Sequence, residues 1–272
     1  MESTINACKI EHILSNNLIQ KLEDSHWKAI KSKQILKIIE ACSGLFMEAV
    51  ADTETTTKES PFNLSIEVIN RSQSTAKLVA VKVLELPAEP KSTLLKNNEK
   101  VSFQLKNIRL GESTAYSNLF WLQEKPTVGM YSVSNLNLRI LPEITTAFPV
   151  VFTLELEGQT IDFVKNISYK FNNPDDGETY VPFTVLPKVT STVTPEVVIF
   201  KDGQPKNVTV SITAHASGLQ GSVSLCYPAD WKVTPKEIPF EIANKNETKS
   251  VTFTVYPAQK EATEQLSALV QI

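Results

Sequence analysis

A mainly β chain, two antiparallel immunoglobulin-like sandwiches in tandem behind an N-terminal α-helical hairpin, is what three observations predict. The apolar period is near 3.6 in the first fifty residues and changes to 2 beyond a polar stretch. Many short strand-like runs then follow, punctuated by turn residues. No convincing helical pattern separates those runs, which argues against alternating β and α elements.

The hairpin is predicted over residues 1–50. Ile10, Ile13, Leu14, Leu18 and Leu22 recur at helical spacing, and Asp24 or Ser25 can cap a second helix beginning near Trp27. In that helix Ile35, Ile38, Ile39, Cys42, Leu45, Phe46 and Ala49 form a stripe broad enough to dock on another domain, weakened slightly at Gly44. Asp52-Thr-Glu-Thr-Thr-Thr-Lys-Glu-Ser-Pro61 reads as a polar linker into the first sandwich, residues 51–187.

In that sandwich Phe62, Leu64, Ile66 and Val68 alternate with Asn63, Ser65, Glu67 and Ile69, and Val79, Val81 and Val83 repeat the pattern. Further strands are expected over residues 101–105, 150–156, 161–171 and 181–186. Pro187-Lys-Val-Thr-Ser-Thr-Val-Thr-Pro195, threonine-rich and bounded by prolines, suits a stiff connector. The second sandwich, residues 188–272, carries strand patterns over 197–200, 207–214, 221–225, 231–233, 238–242 and 250–256. Its last run, Leu266-Ser-Ala-Leu-Val-Gln-Ile272, stops inside a strand pattern, so this sandwich is expected to be incomplete or nearly complete and the chain an excised piece of a longer protein.

Composition narrows the function. Of 272 residues 42% are hydrophobic and 21% charged, which is ordinary for a globular protein. The 27 basic and 30 acidic residues are intermixed, without the basic stripe that a phosphate backbone requires, so nucleic acid is not expected as a partner. No window reaches a membrane-spanning length, and the first residues lack the basic and apolar regions of a signal peptide. Cys8, Cys42 and Cys226 lie far apart without zinc-knuckle spacing, and Cys42 on the apolar helix face is expected to be a buried, inert thiol.

Catalytic constellations are not found. His12, His26 and His215 have no paired metal-ligand spacing, and nucleophile-elbow, GxGxxG and Walker patterns are missing. Glu155 and Glu157 would share one sheet face, which does not oppose two carboxyls across a sugar. Asn-x-Ser/Thr strings at Asn63, Asn70, Asn166, Asn207 and Asn246 matter only where a glycosylation pathway exists. Tyr116, Phe120, Trp121 and Tyr131 cluster in sequence, and such rings can stack on a pyranose face, pack a core or mediate an inter-domain contact. They are the candidate glycan or inter-domain contact residues.

Several longer strings are more specific. They are Ile39-Glu-Ala-Cys-Ser-Gly-Leu-Phe-Met-Glu-Ala49, Ile66-Glu-Val-Ile-Asn-Arg-Ser72, Tyr116-Ser-Asn-Leu-Phe-Trp-Leu-Gln-Glu-Lys-Pro-Thr-Val-Gly-Met-Tyr131, Leu141-Pro-Glu143 with Ala147-Phe148, Tyr169-Lys-Phe171 with Gly177-Glu178 and Tyr180-Val-Pro-Phe183, and Tyr227-Pro-Ala-Asp-Trp-Lys-Val-Thr-Pro235. In this order they resemble the region downstream of the catalytic domain in large bacterial PIG-L/LmbE-like de-N-acetylases. Pro228-Ala-Asp-Trp231 with Val233-Thr-Pro235 also resembles sandwich domains that accompany some glycosidases.

The resemblance implies a secreted or periplasmic, zinc-dependent parent enzyme that releases acetate from an N-acetylated sugar. Its own catalytic domain would be the partner of this chain, and the zinc would reside there. That family uses a His-Pro-Asp-Asp-Glu-like motif, whose nearest string here is Asn173-Pro-Asp-Asp-Gly177. Asparagine replaces the histidine ligand and glycine the last carboxylate, so the string reads as a turn. No catalytic residue, metal ligand or cofactor is therefore assigned within the chain. The expected role is an accessory region that supports or orients the enzyme, with an independent carbohydrate-binding module or a cell-surface spacer as alternatives.

Overall fold

The computed structural model describes residues 21–139, 148–201 and 203–272. The first helix expected in the hairpin lies outside these residues, as do Cys8, His12, the Leu141-Pro-Glu143 string and Ala147. The described chain is mainly β, with one α-helix followed by sandwich-like sheets.

That helix, α1 (Ser25–Cys42), starts where Asp24 caps it, its carboxylate accepting from the backbone N–H groups of His26 at 2.8 Å and Trp27 at 3.2 Å. It stops seven residues before the sequence pattern suggests. Gly44 takes a left-handed φ of +60° and ends the helix, and a Cβ there would meet the Arg71 backbone at 3.2 Å. Residues expected to continue the helix instead form β1 (Leu45–Ala51), with Leu45, Met47, Ala49 and Ala51 buried. The stripe of Leu45, Phe46 and Ala49 fits helical spacing, but every residue of the segment except Glu48 is apolar, a short run that periodicity alone does not assign, and pairing with β3 (Phe62–Asn70) decides the outcome. Cys42 is exposed, contrary to expectation, because α1 buries only Ile39.

Contacts divide the chain into two compact units. The first contains the described residues through Glu54, together with Phe62–Ile108 and Leu119–Phe183. Its larger sheet joins β1, β3 (Phe62–Asn70), β6 (Lys100–Ile108), β9 (Ser168–Asn173) and β10 (Gly177–Pro182) in the order β10-β9-β1-β3-β6. Its smaller sheet joins β4 (Ala76–Val83), β5 (Glu89–Leu95), β7 (Pro149–Leu156) and β8 (Gln159–Asn166) in the order β5-β4-β7-β8. Alternation drives the core: Phe62, Leu64, Ile66 and Val68 from one sheet, and Leu78, Val81, Phe152 and Leu154 from the other, are all buried. Each such side chain contributes about 1.5–3 kcal/mol by leaving water.

The first unit departs from sequence expectation elsewhere too, beginning with β5, which occupies a segment for which no strand is expected. The run 161–171 is two strands, not one: Ile167 is buried at a break, after which the chain leaves the β8 sheet and pairs in parallel with β1. Glu157 lies outside β7 in a two-residue turn with Gly158, at φ +48° and +79°, so it does not share a face with Glu155. Its carboxylate instead accepts the Thr75 N–H at 2.7 Å. Asn70, in one of the resemblance strings, is 1% exposed and donates to the carbonyls of Ser74 and Leu95 while accepting from the Ser72 N–H. A buried amide satisfied on both ends fixes the turn after β3.

The second unit contains Thr184–Ile272 together with Thr55–Pro61 and Arg109–Asn118. The stretch read as a linker is therefore part of a folded unit: β2 (Thr55–Thr56) pairs in parallel with β11 (Thr184–Val185), and Thr56 and Thr57 are buried. The stretch read as a connector is mostly β12 (Val189–Thr194), the first strand of this unit's sandwich. One sheet runs β12-β13-β17-β15, with β13 (Lys206–Ala214), β15 (Lys232–Thr234) and β17 (Thr248–Tyr256). The other runs β16-β14-β18, with β14 (Leu219–Cys226), β16 (Glu237–Ile242) and β18 (Ser267–Gln271). Val208, Val210, Ile212, Val223, Leu225, Phe240, Ile242, Phe253 and Val255 from both sheets form one core, as in an immunoglobulin-like sandwich.

Candidate functional site

The four aromatic candidates divide between the units. Tyr116 belongs to the second, where the Lys58 ammonium lies 4.4 Å from its ring centre and also donates to the Glu112 carbonyl at 2.8 Å. This cation–π contact engages one ring face. In the first unit Phe120 is buried and Trp121 half-buried, their rings edge to face at 4.8 Å and 85°. Phe120 therefore packs and cannot serve as a stacking platform. Tyr131 is 62% exposed and follows the Thr127–Met130 turn.

A polar network that sequence reading missed crosses the outer face of the larger sheet. Lys170 on β9 places its ammonium 2.9 Å from Glu48 on β1 and 3.5 Å from Glu178 on β10. Tyr180, directly opposite Lys170, has its hydroxyl 2.7 Å from Glu48 and 2.8 Å from Glu178, and its one proton serves one carboxylate at a time. Glu48 also faces Glu67 across β1 and β3, and Lys100 answers Glu67 at 3.1 Å. Each lysine offsets a like-charge repulsion between neighbouring strands.

The charge state of this network favours structure over proton transfer. The hydrogen bond to Glu48 holds the Lys170 ammonium well above the usual lysine range, against the desolvation of partial burial. Desolvation first, then the bonds to Glu48 and Glu178, push the Tyr180 phenol up to about 12. Both groups keep their protons at neutral pH, whereas a general base needs a pKa near the working pH.

In the second unit a cavity of about 830 Å³ opens between residues 196–201 with Gly203 on one side and residues 257–264 on the other, with Trp231 in its wall. Phe200 meets Trp231 edge to face at 5.4 Å, and both pack on the sandwich core. The Trp231 indole N–H is shielded from solvent and has no acceptor among the described residues. The rim carries charges of both signs, with Glu196, Glu261 and Glu264 opposing Lys201 and Lys260. Lys260 is itself engaged by Asp230 at 2.9 Å.

The remaining candidates have local roles. His26 lies on α1 beside Trp27, and His215 hydrogen-bonds Thr190 at 2.9 Å. Burial, then the nearby Lys245 charge, holds the His215 imidazole below its ordinary pKa. The Asn173 string forms a turn, with the Asn173 amide donating to Asp176 and its oxygen accepting the Asp175 N–H, both at 3.0 Å. Among the described residues no three His, Cys, Asp or Glu side chains gather as metal ligands would.

No family model matches the chain, and no curated protein matches it. Among solved structures it is similar to a protein of unknown function from Porphyromonas gingivalis W83, at 10% identity and a TM-score of 0.24, covering 79% of this chain and 84% of that one. It is also similar to the native conformation of E. coli alpha-2-macroglobulin, at 12% identity and a TM-score of 0.25, covering 83% of this chain and 16% of that one. Likenesses this weak carry no functional argument.

Proposed function

We propose that this chain is a non-catalytic accessory region of an extracytoplasmic sugar de-N-acetylase of the PIG-L type, and that its first unit docks on the catalytic domain of that enzyme. The observation that supports this is the concentration of exposed apolar side chains in that unit. Leu122, Val128, Met130, Tyr131 and Leu136 are all exposed within one short segment, Val128 completely, and Trp27 and Ile38 are exposed on α1. Apolar side chains grouped in this way commonly mark a protein-interaction surface. The zinc of the reaction would be held by the catalytic domain.

The test is calorimetric titration of the purified chain with a recombinant PIG-L-type catalytic domain. Binding is expected, and the Val128→Glu, Met130→Glu double variant is expected to weaken it by about tenfold or more, since withdrawing each apolar side chain from an interface costs about 1 kcal/mol or more. Absence of binding by the unsubstituted chain would reject docking. A second reading, carbohydrate binding, is favoured by the exposed ring of Tyr131. A glycan array on which Tyr131→Ala abolishes a signal, with the melting temperature unchanged, would establish it instead.

A further inference from the structure

Helix α1 shows solvent a face unlike the rest of the chain. Trp27, Lys31, Gln34 and Ile38 are spaced four, three and four residues apart, which aligns them along one side of a helix, and all are exposed, Trp27 at 52% and Ile38 at 51%. The other side packs on the protein, with Ile39 buried and Ile35 and Leu36 half-buried.

The charge of the helix is one-sided as well. Lys28, Lys31, Lys33 and Lys37 lie within it against the single acid Glu40, in a chain whose net charge is −3. Glu40 is paired with Lys165 of β8, and the Asp24 carboxylate is engaged by the backbone N–H groups that it caps. Glu23, the other acid beside the helix, precedes the cap and has Lys21 two residues away. Lys31 donates to Gln34 at 3.0 Å and lies 5.9 Å from the Trp27 ring centre, while Lys33 and Lys37 are exposed on the flank of the line.

We propose that α1 is a membrane-surface element, lying against a bilayer of anionic lipids with Trp27 and Ile38 in the headgroup boundary and its lysines beside the lipid phosphates. Lysines on such a helix are drawn to a negative surface, each strengthening binding about fivefold. A tryptophan places its apolar rings and its N–H at the depth where lipid meets water. Trp27 and Ile38 stand about three turns apart with Lys31 and Gln34 between them. They form no continuous apolar patch for a rigid protein to cover, whereas a fluid headgroup layer accommodates separate side chains and lysines on flexible stems. The inference goes beyond the docking proposed above, whose test at Val128 and Met130 lies outside α1, so either reading can fail alone.

The experiment is co-sedimentation of the full chain with vesicles of phosphatidylglycerol and, separately, of phosphatidylcholine, with tryptophan emission followed in parallel. Binding to the anionic vesicles alone is expected, with a blue shift that Trp27→Phe removes, because Trp121 and Trp231 are already half-buried. Lys31→Gln combined with Lys37→Gln is expected to weaken binding about tenfold or more at an unchanged melting temperature, and added salt should weaken it too. The proposal is overturned if the chain does not bind phosphatidylglycerol vesicles, if it binds phosphatidylcholine equally, if the double variant binds as the parent does, or if the blue shift persists in Trp27→Phe. Binding to polyglutamate but not to vesicles would also overturn it and assign the face to an acidic protein.

Discussion

The Lys170 ammonium stands 2.9 Å from the Glu48 carboxylate across the parallel junction of β9 and β1. Glu48 has an 11% exposed side chain and another glutamate opposite it, so removing the lysine leaves a poorly hydrated negative charge without its main partner. Lys170→Met is expected to lower stability by about 1–2 kcal/mol, held to the low end because Lys170 is partly solvated. Adding Glu48→Gln should restore part of the loss. Urea denaturation of the single and double variants checks this, and equal stability of Lys170→Met and the parent chain would show that the network does not stabilise the fold.

Tyr180 sets the alkaline limit of the same network. Its phenol is raised from 10.0 to about 12, so the folded state holds the proton more tightly than the unfolded state does. The stabilisation is fully present below pH 10 and is lost as pH rises through 12. A tyrosinate absorbance titration of the parent chain minus that of Tyr180→Phe should isolate a transition near pH 12. A difference curve centred on the ordinary phenol value would contradict the hydrogen bonds from Tyr180 to Glu48 and Glu178.

Gly221 on β14 is a steric requirement of the β18 pairing. A Cβ added there would lie 2.1 Å from the Gln271 carbonyl oxygen, a backbone atom that cannot step aside without moving the strand. Gly221→Ala is expected to cost about 2–3 kcal/mol and to speed amide exchange along β18. An unchanged thermal midpoint would show that the two strands do not approach in this way.

His215 makes the second unit acid-sensitive. Its folded-state pKa lies below the model-peptide 6.5, so protonation favours the unfolded chain. The contribution is present above 6.5 and is lost as pH falls through the lower folded value. The urea midpoint should fall between about pH 7.5 and about pH 5.5, and His215→Gln should reduce that fall. A variant with the parent's full pH dependence would assign it to other groups.

Local patterns foretold most strands but not their partners. The alternation of Phe62, Leu64, Ile66 and Val68 is visible in sequence because one face of β3 is buried. At Leu45–Ala51 the run is apolar at every position but Glu48, so no strand period shows in it, and the turn at Gly44 makes it a strand. The Asn173 turn was legible because Asn-Pro and Asp-Gly act locally. Glu48 with Lys170, and Lys58 with Tyr116, were not, because topology brings together residues that no sequence spacing relates. Residues 197–200 have a strand's composition and are expected to form one, but no strand among the described residues pairs with them, which is a property of the assembled sheets.

The parallel junction between β1 and β9 also orders events during synthesis. β1, β3 and β6 can assemble as soon as Ile108 has left the ribosome, yet the other edge of β1 stays open until Ser168–Asn173 emerges. Throughout that interval the nascent chain displays a bare, apolar-faced strand to its surroundings, the condition under which neighbouring chains aggregate and chaperones bind. Slow translation between those two points would lengthen the exposure and lower the yield of folded product.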